Sequence, residues 1–282
     1  MLAARFLSFL VLWTIILVLV FSKFIGGIFF VIACIGLFAQ WEFYRMQEGK
    51  NIKVFKKTGV TCGALLFIFS YLQLGLNVET QHIRSGLEVL IVLVVILGTL
   101  ARQVFEKEQS QAVATIGLTL LGFFYVPYLS NFFLKTLFLR GADQGFYLIV
   151  YLIAVTKLTD VGAYTIGSLI GRHKMIPRIS PKKTWEGFFG GLLIAVAASV
   201  ILVRVMPQQL DAITPAASWI LGIVLGLLSV VGDLAASVVK RDSQSKDSGV
   251  LIPGIGGALD LIDSLLFTSP IFYCYLTIFA AV

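Results

Sequence analysis

An all-α polytopic membrane protein is the fold class this sequence predicts, and three observations predict it. Hydrophobic residues fill 58% of the 282 positions and charged residues only 13%, about half the charged share of an average globular domain. The mean hydropathy is +0.94. The apolar residues also fall in runs long enough to cross about 30 Å of hydrocarbon. Little sequence lies outside those runs, so a single integral membrane domain over 1–282 is expected.

The runs place about nine transmembrane helices, at 6–22, 24–40, 59–76, 86–104, 111–133, 145–169, 187–206, 216–236 and 262–281. The first follows Arg5 like the core of a signal peptide, but it lacks a small-residue cleavage site and leads at once into the second, so it reads as a retained span. Only Ser22 and Lys23 part those two. The third begins after Lys56 and Lys57, the fourth after Arg84, and the fifth ends before Lys135. The sixth carries Lys157 and Asp160, the seventh Arg204, and the eighth Asp233; Asp260 and Asp263 open the ninth. With the N-terminus cytoplasmic and the C-terminus outside, sixteen of the 22 Lys and Arg side chains fall inside and four outside, which is the asymmetry that sets orientation. Two polar-rich segments, 172–186 and 237–260, then both open to the cytoplasm.

The net charge of +7 is scattered between spans, with no basic tail and no nucleic-acid motif, so nucleic acid is not an expected partner. Anionic membrane lipids and phosphorylated substrates are. Cys34, Cys62 and Cys274 all sit in apolar runs, without the spacing of a zinc site or a disulfide framework.

Chemistry concentrates in two stretches and one further acid. Ser237–Ser264 passes from an apolar run through Lys240, Arg241, Asp242, Lys246 and Asp247 to a Gly-rich turn at Pro253–Gly257, then to Asp260 and Asp263. Two acids three apart on a helix share a face, and placed at a membrane boundary they suit a cation; a solvated loop beside a helix cap is the plainer reading. Asp233 near the end of the eighth run supplies a third acid, and a few carboxylates completed by substrate phosphates are what Mg²⁺ prefers. In the second stretch, Gly167 and Gly171 are spaced for close helix packing. Ser180–Pro181 reads as an N-cap and first helical residue, which puts Lys182 and Lys183 in the first turn, either awaiting an anion or forming an ordinary basic loop. Asp160, one turn from Lys157, pairs with it or contacts a substrate or metal. Sparse lysines beside acidic ligands point to phosphoryl or nucleotidyl transfer.

The order and spacing of Ser237, Lys240, Arg241, Lys246, Asp247, Gly249, Ile252, Pro253, Gly254, Gly256, Gly257, Asp260 and Asp263 resemble the signature of the phosphatidate cytidylyltransferases, the CDP-diacylglycerol synthases. Upstream, Asp160, Ala163, Tyr164, Gly167, Gly171 and the run Ile179–Thr184 with Glu186 and Gly187 look like that family's second block. The chain departs from the pattern at Ile255 and Leu261, where the family commonly has His and Arg. The resemblance implies a Mg²⁺-dependent nucleotidyltransferase that makes CDP-diacylglycerol and pyrophosphate from CTP and phosphatidate for phospholipid synthesis. It implies N-terminal spans in 1–140 and catalytic spans in 145–282, at the cytoplasmic face of the inner membrane. Asp233, Asp260 and Asp263 would hold the metal, with a monovalent cation as a conceivable companion. Lys240, Arg241, Lys246 and Asp247 would serve catalysis. Asp160, Ser180, Lys182, Lys183, Thr184 and Glu186 would contact substrate. A homodimer is compatible with the family and the Gly-bearing helices. A CTP-dependent lipid-alcohol kinase, a membrane transporter and a lipid-binding paralogue without catalysis are the competing readings.

Overall fold

A computed structural model describes residues 25–49, 52–75, 81–245, 248–249 and 256–280. The expected first span, 6–22, and the positions Lys246, Asp247 and Ile255 lie outside the described residues. The helices are α1 (Ile25–Glu48), α2 (Lys56–Gly75), α3 (Gln81–Val104), α4 (Ala112–Phe123), α5 (Leu129–Phe138), α6 (Gly141–Ile170), α7 (Trp185–Val205), α8 (Pro215–Asp242) and α9 (Ala258–Ile278). A π-helical turn, Phe124–Tyr128, makes α4 and α5 continuous. A small antiparallel hairpin, β1 (Lys174–Ile176) and β2 (Ser180–Thr184), joins α6 to α7.

Among the described residues, seven helical stretches are long and apolar enough to cross a membrane: Gly26–Glu48, Gly86–Val104, Ala112–Phe138, Asp143–Ile170, Trp185–Val205, Pro215–Asp242 and Ala258–Ile278. The protein is an all-α polytopic membrane protein. α2 stands where the third span was expected and opens on Lys56 and Lys57; it is not among those seven.

Several boundaries differ from the sequence reading for physical reasons. The second span runs on to Glu48, since Gln40, Glu42 and Gln47 are buried there rather than solvated. The fifth continues past 133 to Phe138 through the π turn that contains Pro127. Proline withdraws a helical N–H, and the chain passes it in a π turn rather than breaking; beyond it the Ser130 hydroxyl donates to the Val126 carbonyl at 2.8 Å. The largest correction concerns Ser180–Pro181, which begins a strand rather than a helix. Ile176 pairs with Ser180 and Lys174 with Thr184, and the helix starts four residues later than expected. Extended Thr184 is its N-cap, accepting the Gly187 N–H at 3.2 Å. Lys182 and Lys183 therefore lie on β2, and the first turn of α7 carries Glu186, the sign that the helix dipole favours.

The fold divides into two compact units, Met1–Lys135 with Asp242–Leu261 and Thr136–Arg241 with Ile262–Val282. In the first, fully buried Tyr44 is the central packing element. A Cβ at Gly59 or Gly122 would run into its ring, so both glycines are notches cut for the tyrosine. Its hydroxyl donates to the Thr119 carbonyl at 2.7 Å, and the Gln40 amide donates to the Gly59 carbonyl at 2.9 Å. Cys62, Leu66, Ile91, Val95 and Phe123 form one apolar cluster of this unit, and Ala33, Phe67 and Leu134 another.

In the second unit, α6 and α7 meet along a seam of small residues. A Cβ on Gly191 would come within 2.8 Å of the Thr159 carbonyl and 2.9 Å of the Ala163 Cβ; one on Gly187 would approach the Ala163 carbonyl to 2.6 Å and the Gly167 Cα to 3.1 Å. Without a side-chain layer the two backbones touch, the use of small residues that apolar surroundings favour. The buried Tyr151 ring stacks on Phe272, with centroids 5.4 Å apart, and its hydroxyl lies 2.6 Å from Ser199 Oγ, which donates to the Ser218 carbonyl.

Candidate functional site

The second unit gathers three carboxylates from three helices: Asp160 on α6, Asp233 on α8 and Asp263 on α9. What brings them together is again a glycine. At Gly232 a Cβ would lie 2.8 Å from the Asp263 carbonyl oxygen and 3.0 Å from the Ser264 Cα, so α8 and α9 touch backbone to backbone beside Asp233. Asp160 and Asp233 both lie close enough to Asp263 to act on it electrostatically, as does Lys157.

Two cations answer the three acids. Lys183 reaches from β2 to Asp233 Oδ2 at 2.7 Å. Lys157 stands 3.7 Å from Asp160 Oδ2, an intrahelical pair and one of the two contacts that their spacing allowed. Hydroxyls complete the cluster: Ser229, one turn before Asp233 on α8, donates to Asp160 Oδ1 at 2.9 Å, and Ser264 lies 3.3 Å from Asp160 Oδ2 and 3.3 Å from Asp263 Oδ1. Asp263 also accepts the Ser264 N–H at 2.6 Å. Asp263, Ser229 and Ser264 are buried, and placing such groups in apolar helices is costly enough to mark a functional site.

The remaining expected residues have different stations. On the hairpin, Lys182 is exposed, Ser180 is half-buried and Thr184 is occupied as the cap. Glu186 is held locally: both of its oxygens lie 3.2 Å from the His173 N–H, and the imidazole Nδ1 is 2.6 Å from Oε1. That arrangement ties the start of α7 to the start of the hairpin. Lys240 and Arg241 fall in the last turn of α8, where Arg241 Nε donates to the Ile179 carbonyl at 3.2 Å. Asp260 belongs to the first unit; its Oδ2 accepts the Ser248 N–H at 3.0 Å, the Ser248 hydroxyl at 2.8 Å and the Gly257 N–H at 3.1 Å. Leu261 follows it on α9.

Sequence reasoning missed Ser229, Ser264, Ser248 and Glu42. The two α8–α9 serines carried a signal, since each lies within one turn of an acid in an apolar helix. Glu42 carried almost none, because a lone acid near the end of an apolar run reads as interfacial.

Among the described residues, no three His, Cys, Asp or Glu side chains converge tightly enough to hold a metal unaided. The donors of the second unit still fit Mg²⁺, which takes one or two carboxylates and fills its other positions with water and substrate phosphate. Every donor is a hard oxygen, and the Gly232 contact sets the backbone of α8 beside Asp233 against that of α9 at Asp263.

Comparison with known proteins bears on this chemistry. The model of the cytidylyltransferase family matches residues 3–279. The phosphatidate cytidylyltransferase of Bacillus subtilis (strain 168) is 33% identical over 273 residues, covering 94% of each chain. That of Brucella suis biovar 1 (strain 1330) is 39% identical over 160 residues, 56% of this chain and 57% of the relative. The uncharacterized protein YnbB of Escherichia coli (strain K12) is 39% identical over 132 residues, 47% of this chain and 43% of that protein. The chain thus spans about half the length of the last two and nearly all of the first. With the family match running almost from end to end, the chain belongs to the cytidylyltransferase family.

Proposed function

We propose that the protein transfers CMP from CTP to phosphatidate, giving CDP-diacylglycerol and pyrophosphate for phospholipid synthesis, with Mg²⁺ as cofactor. The observation that carries this reading is the convergence of Asp160, Asp233 and Asp263 with Lys157 and Lys183 at the Gly232 contact. The kinship with the Bacillus subtilis phosphatidate cytidylyltransferase supports it.

The reacting oxygen belongs to the phosphatidate phosphate, which is already an anion, so the chain needs no strong general base. It attacks the α-phosphorus of CTP, and the bond to the pyrophosphate oxygen breaks. The protein's task is to align an in-line displacement and to neutralise charge. Lys183 is the natural partner for a phosphate that displaces Asp233 from it. Lys182 and Lys240 add positive charge, and Arg241 steadies the hairpin that carries Lys183. Asp233 and Asp263 would hold the metal, which when bound screens the negative charge of the triphosphate. Asp160, fixed by Ser229 and Ser264, sets the second wall of the site. Asp260, Lys246 and Asp247 keep the roles that the motif implies, as do Ser180, Thr184 and Glu186 for nucleotide contacts.

The finer topology belongs to the same proposal: nine spans with α2 and residues 6–22 included, the N-terminus cytoplasmic and the C-terminus outside. Catalytic spans would lie in 145–282, facing the cytoplasm from the inner membrane among anionic lipids. A homodimer and a monovalent cation beside Mg²⁺ complete it.

The test uses purified protein in detergent with phosphatidate, Mg²⁺ and CTP labelled on the α-phosphorus, comparing wild type with Asp263→Ala. Label should enter chloroform-soluble lipid with equimolar pyrophosphate, and the substitution should abolish both. Label left wholly in CDP would mean a lipid-alcohol kinase; untouched CTP would mean a transporter or an inactive paralogue.

A further inference from the structure

Glu42 lies in the C-terminal half of α1 and is only 7% exposed. A buried acid in an apolar helix calls for a reason, and its contacts supply one. Its Oε2 accepts the Leu259 N–H at 3.0 Å and the Ser248 hydroxyl at 3.2 Å. Leu259 is the second residue of α9, so its N–H has no acceptor within the helix, and a carboxylate there also meets the positive end of the helix dipole. Ser248 in turn gives Asp260 both its N–H and the shorter of its two hydroxyl contacts. One hydroxyl hydrogen is thus shared between two carboxylates. The flanking glycines fit the same notch: a Cβ on Gly249 would lie 2.6 Å from Glu42 Cδ, and one on Gly257 would strike both Glu42 and Ser248. The partners are 206 and 217 residues away in sequence, so the contact is made only by the folded chain.

We infer that Glu42 is a positioning residue for the transferase reaction: it clamps Ser248–Gly249 to Gly257–Leu259, the two ends of the Gly-rich signature segment, and so fixes the orientation of Asp260. The inference rests on the cytidylyltransferase reading above. Its mark is a loss of turnover rather than of ground-state binding, because a misaligned acid costs most in the transition state.

The experiment measures CMP transfer by full-length Glu42→Leu, Glu42→Gln and Gly249→Ala proteins in detergent, with amide hydrogen exchange at Leu259 and Gly257. Glu42→Leu should lower kcat at least about tenfold while KM for CTP changes less than about threefold, and should speed exchange at both amides. Glu42→Gln keeps an oxygen for Leu259 and should recover at least about a third of kcat. Gly249→Ala should impair the wild type but add nothing to Glu42→Leu, since both break one contact. Wild-type kcat per folded Glu42→Leu molecule, a Glu42→Gln protein as inactive as the leucine variant, or additive effects with Gly249→Ala would each overturn the clamp. If the leucine variant does not fold, Ser248→Ala takes its place, and an unchanged kcat there is equally fatal. A wild type that transfers no CMP would sink the underlying reading instead, and unaltered exchange in Glu42→Leu would then reject the clamp on its own.

Discussion

Replacing Gly232 with alanine tests the geometry of the acidic cluster most directly. The new methyl would lie 2.8 Å from the Asp263 carbonyl oxygen and 3.0 Å from the Ser264 Cα, about 0.6 Å inside ordinary contact with the oxygen. Both neighbours are backbone, so relief comes only if α8 and α9 separate, carrying Asp233 from Asp263. Overpacking of this kind costs about 1–3 kcal/mol, while removing a helical glycine returns about 1 kcal/mol, so the net stability loss should stay below about 2 kcal/mol. Activity should suffer more. A displacement approaching 1 Å costs on the order of 100-fold in rate, and a tenfold to 100-fold fall in kcat is therefore expected. The assay is transfer of label from CTP to lipid per molecule of monodisperse protein, with thermal unfolding in the same detergent. Gly98→Ala and Gly117→Ala, where nothing lies within 4 Å, are the controls and should leave turnover intact. Turnover of Gly232→Ala within twofold of wild type would refute the idea that this contact sets the spacing of the acids.

Other substitutions separate the roles of neighbouring residues. Lys183→Met leaves Asp233 without its 2.7 Å partner and should reduce kcat/KM for CTP by roughly 10- to 100-fold, with Lys183→Arg intermediate; an unaffected steady-state profile would remove Lys183 from the site. Thr184→Val deletes the cap of α7 while keeping the packing shape and should cost about 1 kcal/mol, whereas Thr184→Ser should not; equal melting of the two variants would contradict the cap assignment. His173→Ala, at an exposed side chain, should alter activity less than threefold, and Glu186→Gln should match it if that carboxylate is only a tie. A Glu186→Gln protein that is inactive beside an active His173→Ala would show that Glu186 touches substrate.

How much was legible in the sequence depended on whether the signal was local. Acids in apolar runs are rare enough to stand out, so Asp160, Asp233 and Asp263 could be named from the sequence, Lys183 stood out in the polar-rich segment 172–186, and the Lys157–Asp160 spacing allowed their contact as one of two readings. The start of α7 was misread because Ser180 and Thr184 are both competent caps. What decides between them is the pairing of Lys174 with Thr184, a contact ten residues apart that no capping preference encodes. Glu42 stayed hidden for the opposite reason to Asp233: its meaning lies wholly in residues more than 200 positions downstream.

The α6–α7 seam has a consequence for tolerance. Side chains hold distances only as well as their rotamers hold, and rotamers hop. Where Gly187 and Gly191 lie directly against the backbone of Thr159 and Ala163, the separation of the helices is set by covalent geometry and atomic radii alone. Asp160 rides on one of these helices, and Lys183 is one residue from the cap of the other. Their anchor points therefore inherit the stiffness of the main chain, within the roughly 0.5 Å that transfer chemistry demands of its reacting groups.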